Sequence, residues 1–373
     1  MKNKTFKILG LMSGTSMDGL DCCYCKISIN SNYEFDYNII DFKTFSYSNE
    51  VKEIIKKARK RPFDSQKYDD ILGKIFSEIS IDFLRGRSVD LVGNHGQTIL
   101  HIDKKKTIQI GNPIHLLKAL NVPIVYNFRE KDILAGGNGA PLMPFLDWLL
   151  FKNYNKNTYT LNIGGISNLS KITKNIERSK VIGFDSGPGM CLIDEFVKKV
   201  WNKNMDFDSE LSSRGKIIKK IENDLLQNAY IFKKPPKSTD RKDFGEEMID
   251  RILLKYNNYS PFDILRTLVS FTAKSICINL KKYLKFNGLN CNFYINGGGF
   301  HHSILINDLK DQLLISSFSK LEDLNISEDN KEALLIAVLT LCRFLNLPAN
   351  MSSVTGSKGD IVLGDILYSK DLK

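Results

Sequence analysis

A strand, a glycine-rich turn and a second strand occur in this order twice in the chain, and this repeat is the strongest constraint on the fold. The first copy has an apolar strand at residues 6–12, the turn SGTSMDG at residues 13–19 and a second strand at residues 20–29. The second copy, residues 159–169, has two adjacent glycines in its turn. Each copy lies near the start of a domain-sized block, so the repeat indicates duplicated α/β domains.

A third glycine-rich turn, residues 297–299, follows a short apolar strand. Glycine lets the backbone approach a phosphate closely, and exposed N–H groups in such turns form an anion-binding concavity. One glycine turn is more often a plain turn, but three in the order expected for an ATP cleft favour nucleotide binding. The sequence has no Walker motif and no dinucleotide-binding fingerprint after a strand, which excludes those two classes of protein.

Asp185 is the strongest single candidate for a catalytic residue. It is predicted to lie where a short apolar strand, residues 181–184, ends, and a helix pattern follows the sequence SGPG. A carboxylate at a strand end faces the crevice where α/β folds bind ligands, and a nearby helix N-terminus keeps a general base ionised. A cap of that helix is the alternative interpretation, and the spacing favours neither.

Two other charged residues have a plausible role in binding. Arg129 suits bidentate binding of a carboxylate or phosphate, although a surface ion pair is commoner for an isolated arginine. Glu332 begins a periodic apolar helix, where an acidic residue also stabilises the helix dipole.

The basic composition first suggests nucleic acid, since the net charge is +11 and the pI about 9.1. The lysines, however, are scattered in short runs without interleaved aromatic residues, which favours a solvated surface. The seven cysteines show no spacing typical of a metal site, and we expect reduced thiols. Without a signal peptide or a membrane-spanning stretch, we expect a cytoplasmic protein that binds neither nucleic acid nor membrane.

Further motifs extend these observations over almost the whole chain. Together they resemble the anhydro-N-acetylmuramic acid kinase family, in the same order along the sequence; the matching runs are residues 10–21, 94–98, 109–112, 127–132, 136–142, 161–168, 185–189, 235–239, 296–299 and 355–356. Three positions depart from the family's usual residues: Asn127 replaces Asp, Asn138 replaces Gln, and Met190 replaces Asn.

The resemblance implies a two-lobed actin-like ATPase fold, which is α/β and ribonuclease H-like, with ATP and Mg²⁺ between duplicated domains. It implies a first domain of residues 1–132 plus about 356–373 and a second of residues 133–355, and it suggests a homodimer. The implied ATP- and phosphate-binding residues are Gly14, Thr15, Ser16, Met17, Asp18, Gly19, Leu20, Asp21, Gly164, Gly165, Asn296, Gly297, Gly298 and Gly299. The implied substrate-binding residues are Ser13, Thr15, Gln97, Arg129 and Glu332, and the sequence leaves the Mg²⁺ ligands open.

The implied reaction is phosphorylation of 1,6-anhydro-N-acetylmuramic acid with hydrolytic opening of its 1,6-anhydro ring. O6 of this sugar is an ether oxygen without a proton, so Asp185 would deprotonate a water that attacks C1. Two alternatives stay open: a sugar kinase of the same superfamily that phosphorylates a free hydroxyl, and a nucleotide-binding regulatory protein without transfer activity. A nucleic-acid binder is a distant third.

Overall fold

The structure is a computed structural model that describes residues 4–14, 17–239, 243–327 and 329–372. Its strands are β1 (Phe6–Ser13), β2 (Gly19–Ile29), β3 (Phe35–Ser46), β4 (Leu91–Ile102), β5 (Lys106–Ile110), β6 (Ile124–Tyr126), β7 (Asn157–Ile163), β8 (Ile166–Ile172), β9 (Ile182–Pro188), β10 (Cys291–Asn296) and β11 (Asp365–Leu367). Its α-helices are α1 (Asn49–Lys60), α2 (Gln66–Leu84), α3 (Pro113–Leu120), α4 (Glu130–Leu134), α5 (Met143–Phe151), α6 (Cys191–Trp201), α7 (Lys219–Leu225), α8 (Ala229–Phe232), α9 (Glu246–Lys255), α10 (Pro261–Tyr283), α11 (Ser303–Leu313), α12 (Lys331–Phe344) and α13 (Ser352–Thr355).

The chain divides into two compact units. The first unit combines Met1–Leu150 with Glu322–Lys373, and the second is Phe151–Leu321. These limits differ from the expected domain boundaries near residues 132 and 356, because most of α5 and all of α12 belong to the first unit. The buried Asp147 carboxylate of α5 pairs at 2.6 Å with the Lys331 ammonium of α12, which ties the two helices together.

The first unit is built on one sheet with the strand order β11-β6-β4-β1-β2-β3, and β5 pairs with β4. Strands β1, β2 and β3 form an antiparallel meander, while β4 lies parallel to β1 on its other side. Helix α12 packs closely on this sheet because Gly10 has no side chain there. A Cβ at that position would lie 2.2 Å from the carbonyl oxygen of Ala333.

The second unit repeats this arrangement. Its sheet has the order β10-β7-β8-β9, in which β7, β8 and β9 form an antiparallel meander and β10 lies parallel to β7. This is the pairing of β1, β2, β3 and β4 in a second copy, with a glycine turn between the first two strands of each. The prediction of duplicated α/β domains is therefore confirmed.

The two helices expected from apolar periodicity in the last third of the chain are present as α10 and α12. Their buried residues have the spacing of a helix face, and α10 is central to the core of the second unit. The three cysteines of β2 are buried in the first unit, and all seven cysteines of the chain are free thiols, as expected. In the part of the chain that the structure describes, no helix has the length and apolar content needed to cross a bilayer.

Candidate functional site

The second sheet presents a row of four polar residues next to a row of apolar ones. Ile295, Leu161, Leu169 and Phe184 are paired across the four strands, and all belong to one buried core; the row that follows is Asn296, Asn162, Asn168 and Asp185. Successive residues of a strand point to opposite faces, and paired residues share a face. The four polar side chains therefore project from the face opposite that core.

Asp185 lies at one end of this polar row and is held by its backbone and its carboxylate. It is 7% exposed, and its Oδ2 accepts a hydrogen bond of 3.1 Å from the backbone N–H of Thr239. Its own N–H donates to the carbonyl of Lys237 at 3.2 Å, and its carbonyl accepts from the Tyr230 hydroxyl at 2.9 Å. The segment from residue 230 to residue 239 thus fixes the direction of the carboxylate.

Strand β9 does not end at Phe184, as the sequence suggested, but continues through Asp185 to Pro188. The register with β8 shifts directly after the pair of Asn168 and Asp185, which is a bulge. Bulges bend a strand and redirect side chains, and they are frequent next to active sites. Asp185 is therefore positioned by a bulge within β9 and not by the end of a strand.

Lys237 fastens the segment that holds Asp185, and the sequence analysis did not single it out. Its side chain is buried, and its ammonium donates to the carbonyls of Tyr230 at 3.0 Å and Ile231 at 3.2 Å. The ammonium also lies 4.7 Å from the centre of the Tyr230 ring. Burial lowers the pKa of Lys237 to about 8, and the charge of Asp185 opposes this change.

The helix-cap interpretation of Asp185 is wrong. Helix α6 begins at Cys191, its N-cap residue is Met190, and no side chain caps it. Its first N–H groups bind the glycine turn between β7 and β8 instead: Met190 donates to the Gly164 carbonyl at 2.8 Å and Cys191 to the Gly165 carbonyl at 3.0 Å. The helix N-terminus therefore holds this turn and not the carboxylate.

The turn of Gly164 and Gly165 lies against Gly189, which precedes α6. A Cβ on Gly189 would lie 2.2 Å from the Gly164 carbonyl oxygen, so a side chain there would separate the turn from the helix. Both turn glycines are partly exposed. The predicted second phosphate loop is thus a short, tightly anchored turn with its carbonyls already bonded.

The third glycine turn follows β10 at the same edge of the sheet as the β7–β8 turn, because β10 and β7 are parallel. The amide of Asn296 donates to Oδ1 of Asn162 at 2.8 Å. Gly297 has φ 86° and Gly299 packs on Ile163, while Gly298 has open space where a side chain would be. The structure therefore brings Gly164, Gly165 and residues 296–299 together within the second unit.

In the first unit, two predicted substrate-binding residues support the first glycine turn. The buried Ser13 hydroxyl donates to Oε1 of Gln97 at 2.8 Å and shares a hydrogen bond with the Tyr47 hydroxyl. The amide of Gln97 in turn donates to the Gly14 carbonyl at 3.0 Å. These bonds fix the point at which β1 passes into the turn, and direct contact with a substrate stays a prediction.

Thr15 and Ser16, both predicted to bind phosphate and Thr15 also the substrate, lie outside the described residues. On their far side, the N–H of Met17 donates to the Gly14 carbonyl at 3.2 Å, and Met17 has φ 62°. Strand β2 begins at Gly19, and Leu20 is fully buried in the core. Leu20 therefore has only its backbone to offer to a ligand.

Acidic side chains gather where the first turn approaches α12. The carboxylate of Asp21 accepts a hydrogen bond of 2.6 Å from the Thr44 hydroxyl. The pKa of Asp21 is raised to about 6, mainly by burial and also by the charges of Glu332, Asp329 and Asp18, and the hydrogen bond from Thr44 partly offsets this rise. Glu332 and Asp21, both predicted site residues, thus lie near each other in this unit.

Arg129 is held by a histidine that the sequence analysis did not single out. Its Nε donates to Nε2 of His95 at 3.0 Å, and its Nη1 donates to the Gly139 carbonyl at 2.8 Å. The other ring nitrogen of His95 donates to the Gly96 carbonyl at 2.8 Å. Burial first, and then the charge of Arg129, lower the pKa of His95 to about 3, so the imidazole is neutral.

The loop that positions Gly139 is organised by the fully buried Asp132. Its carboxylate accepts hydrogen bonds of 2.8 Å from the Gly139 N–H and from the Thr355 hydroxyl. A Cβ on Gly137 would lie 2.2 Å from this carboxylate, which explains a glycine there. The runs at residues 136–142 and 355–356 therefore both contain residues that contact the buried Asp132 carboxylate.

Comparison with known proteins places this geometry in a family. The anhydro-N-acetylmuramic acid kinase family model matches residues 6–369. Proteins of that name from Clostridioides difficile (strain 630) and Bacillus cereus (strain AH187) are 34% and 32% identical to this chain, covering 96% and 97% of it and 97% and 99% of their own lengths. A relative from Caldanaerobacter subterraneus subsp. tengcongensis is 32% identical, with 96% of each chain covered.

The chain belongs to the anhydro-N-acetylmuramic acid kinase family. It is accordingly a kinase, an enzyme that transfers a phosphoryl group. The recognition made from motifs alone is confirmed over nearly the whole chain.

Two of the departures from the usual residues of the anhydro-N-acetylmuramic acid kinase family have a structural setting. Asn127 has φ 58°, which asparagine tolerates well, and its amide donates to the carboxylates of Glu130 and Asp365. An aspartate at this position would face two like charges. Met190 packs its side chain against the core of the second unit and leaves α6 without a side-chain cap.

Proposed function

We propose that this chain phosphorylates 1,6-anhydro-N-acetylmuramic acid with ATP and opens its anhydro ring by hydrolysis, giving N-acetylmuramic acid 6-phosphate for peptidoglycan recycling. The observation that carries the proposal is the position of Asp185 in the polar row of the second sheet, beside a glycine turn. The names of relatives that match nearly the whole of this chain support the choice of sugar.

In this reaction Asp185 is the general base. Its carboxylate takes a proton from a water while the water oxygen forms a bond to C1 of the sugar. The bond from C1 to O6 breaks, O6 takes the γ-phosphoryl group, and ADP leaves. This resembles an inverting glycosidase in which the phosphoryl group takes the part of the general acid.

The backbone of the glycine turns is suited to hold the phosphates of ATP, since N–H groups of such turns bind anions. Mg²⁺ would neutralise charge on the transferred phosphoryl group. In the described part of the chain, no three His, Cys, Asp or Glu side chains are grouped to hold a metal alone. This fits an ion that binds mainly through phosphates and water, and Asp18 in the first turn and Asp21 just after it are the carboxylates that would contact it.

For the sugar, we propose Arg129 and Glu332 as direct ligands, with Ser13 and Gln97 holding the turn that approaches it. Arg129 presents a guanidinium fixed in two directions by His95 and Gly139, as recognition of a carboxylate requires. The lactyl carboxylate of the muramic acid is a fitting partner. We further expect a homodimer in the cytoplasm, where ATP is available.

In the decisive experiment, the purified protein is incubated with ATP, Mg²⁺ and the anhydro sugar in ¹⁸O-water, and the product is analysed by mass spectrometry. We expect a ring-opened 6-phosphate that carries the label on C1 and none on the phosphate. Loss of ATP with the anhydro ring intact would overturn the proposal. Faster turnover of a reducing sugar would favour the kinase that phosphorylates a free hydroxyl.

Asp185→Asn tests the base, with Asp250→Asn as the matched control because Asp250 is an exposed residue of α9. Removing a general base lowers kcat by about 10²- to 10⁴-fold. We expect this loss for Asp185→Asn with retained ATP binding, and unchanged turnover for the control. Full turnover by Asp185→Asn would remove Asp185 from the mechanism.

A further inference from the structure

Asn168 of β8 lies directly opposite Asp185 of β9, and the sequence analysis gave it no role. On its other side it is paired with Asn162 of β7. Side chains of residues paired in this way share a face, and their Cβ atoms are about 4.5–5.5 Å apart. The side chain of Asn168 is therefore a neighbour of the proposed base.

The amide of Asn168 differs from the other members of the polar row in its contacts. Asn162 and Asn296 bond each other at 2.8 Å, and the carboxylate of Asp185 accepts from Thr239. Asn168 is partly buried, yet its side chain makes no hydrogen bond to any residue that the structure describes. An asparagine that only stabilised the sheet would be expected to bond within the row.

The spacing of Asn168 and Asp185 suits one small polar molecule held between them. A water at hydrogen-bond distance from both, roughly 2.8 Å, bridges two side chains whose Cβ atoms are this far apart. If each side chain accepts a hydrogen bond from one O–H of the water, the directions of both protons are fixed, and the directions of the lone pairs are fixed with them. A single carboxylate oxygen directs only one of the two protons of a water.

We propose that Asn168 and Asp185 together hold the water that opens the anhydro ring. Oδ1 of Asn168 accepts a hydrogen bond from the O–H that stays intact on the water, while the carboxylate of Asp185 takes the other proton. The oxygen then bonds to C1, the electron pair of the broken C1–O6 bond goes to O6, and O6 takes the γ-phosphoryl group. This inference rests on the proposed ring opening.

Two variants of Asn168 test the proposal, with Asn223→Ala on the exposed side of α7 as the control for removing an asparagine amide. Asn168→Ala should lower kcat for the anhydro sugar about 10- to 100-fold, since misplacement of a reactant costs this much, and leave the KM for ATP within about twofold. Equal thermal unfolding of variant and wild type would show that the fold is intact.

Asn168→Asp provides a readout that a structural role would not change. A second carboxylate facing Asp185 disfavours ionisation of both, so the acidic limb of the pH profile of kcat/KM should move up by about one unit or more. Wild-type kcat in Asn168→Ala, or an unmoved acidic limb in Asn168→Asp, would overturn the inference while the ring opening stands. Absence of ring opening in the wild type would overturn the proposed function itself.

Discussion

Replacing His95 with glutamine should change how the stability of the first unit depends on pH. His95 is 3% exposed, and its Nε2 accepts a hydrogen bond from Arg129, so protonation would bury a charge against another cation. The pKa of His95 falls from its ordinary value of 6.5 to about 3. Glutamine does not titrate, yet it offers Arg129 an oxygen as acceptor.

The sign and size of the effect follow from the two pKa values. Because the folded-state pKa is the lower one, the unfolded state binds more protons between about pH 6.5 and pH 3, and the free energy of unfolding falls as the pH falls through this window. Within this window, each pH unit lowers the free energy of unfolding by about 1.4 kcal/mol. From pH 7 to pH 5, the free energy of unfolding linked to His95 falls by about 2 kcal/mol in the wild type, and the variant has no such loss.

The assay uses the two tryptophans of the chain, of which Trp148 lies in the first unit and Trp201 in the second. In a Trp201→Phe background, the fluorescence of Trp148 reports unfolding of the first unit alone. We expect His95→Gln to be less stable than its parent by about 1–3 kcal/mol at pH 7, because the bond to Arg129 is imperfectly replaced.

Urea unfolding at pH 7, 6 and 5 should then show this difference shrinking by about 2 kcal/mol in total. The variant His301→Asn, at an exposed histidine, is the control for losing a histidine as such. A difference between His95→Gln and its parent that is the same at all three pH values would refute the burial of a neutral His95 against Arg129.

Gly189→Ala should lower the thermal unfolding temperature, since its methyl would lie 2.2 Å from the Gly164 carbonyl oxygen and overpacking costs about 1–3 kcal/mol. Gly298→Ala is the control and should leave this temperature unchanged, because no atom lies within 4 Å of the added methyl. Equal unfolding temperatures of the two variants would contradict this reading of the turn. The stability advantage of the wild type over Lys237→Met should grow from pH 8 to pH 10, because the pKa of Lys237 is lowered from 10.5 to about 8 and the unfolded state binds more protons in this window. Urea unfolding at both pH values measures it, and a constant difference would be inconsistent with a buried, titrating Lys237.

The fold was predictable where local patterns determine it. The two strand–turn–strand copies became the β1–β2 and β7–β8 hairpins, and apolar periodicity predicted α10 and α12. Both signals depend on neighbours in sequence, which is why they can be read without a structure. The limits of the two units depend on the pairing of α5 with α12 and on the sheet on which α12 packs, and both are long-range contacts.

The arrangement of the site was less predictable, because it depends on strand register. Asn162, Asn168 and Asp185 lie on three successive strands, and only the register in which β7, β8 and β9 pair puts them in one row. The bulge after Asp185 could not be read from an apolar strand followed by SGPG. Gly187, between Ser186 and Pro188, was the only local signal for it.

Buried polar networks were the part that sequence reasoning missed. Asp132 and Thr355 bond each other across 223 positions, and nothing local indicates that either is buried. His95 lay in a run that matched the family, but the match did not say that its partner is Arg129. The proposed roles of Asp185, Arg129 and the other site residues stay predictions.

The interruption of the first unit by the second affects the order in which the chain can fold during synthesis. Strand β1 leaves the ribosome first, yet the helix that packs on Gly10 is α12, which emerges more than three hundred residues later. Residues 151–321 form a continuous segment with its own sheet and core. The second unit can therefore fold before α12 of the first unit has been synthesised. A chain terminated shortly before α12 should therefore leave behind a folded second unit attached to an unfinished, aggregation-prone first one.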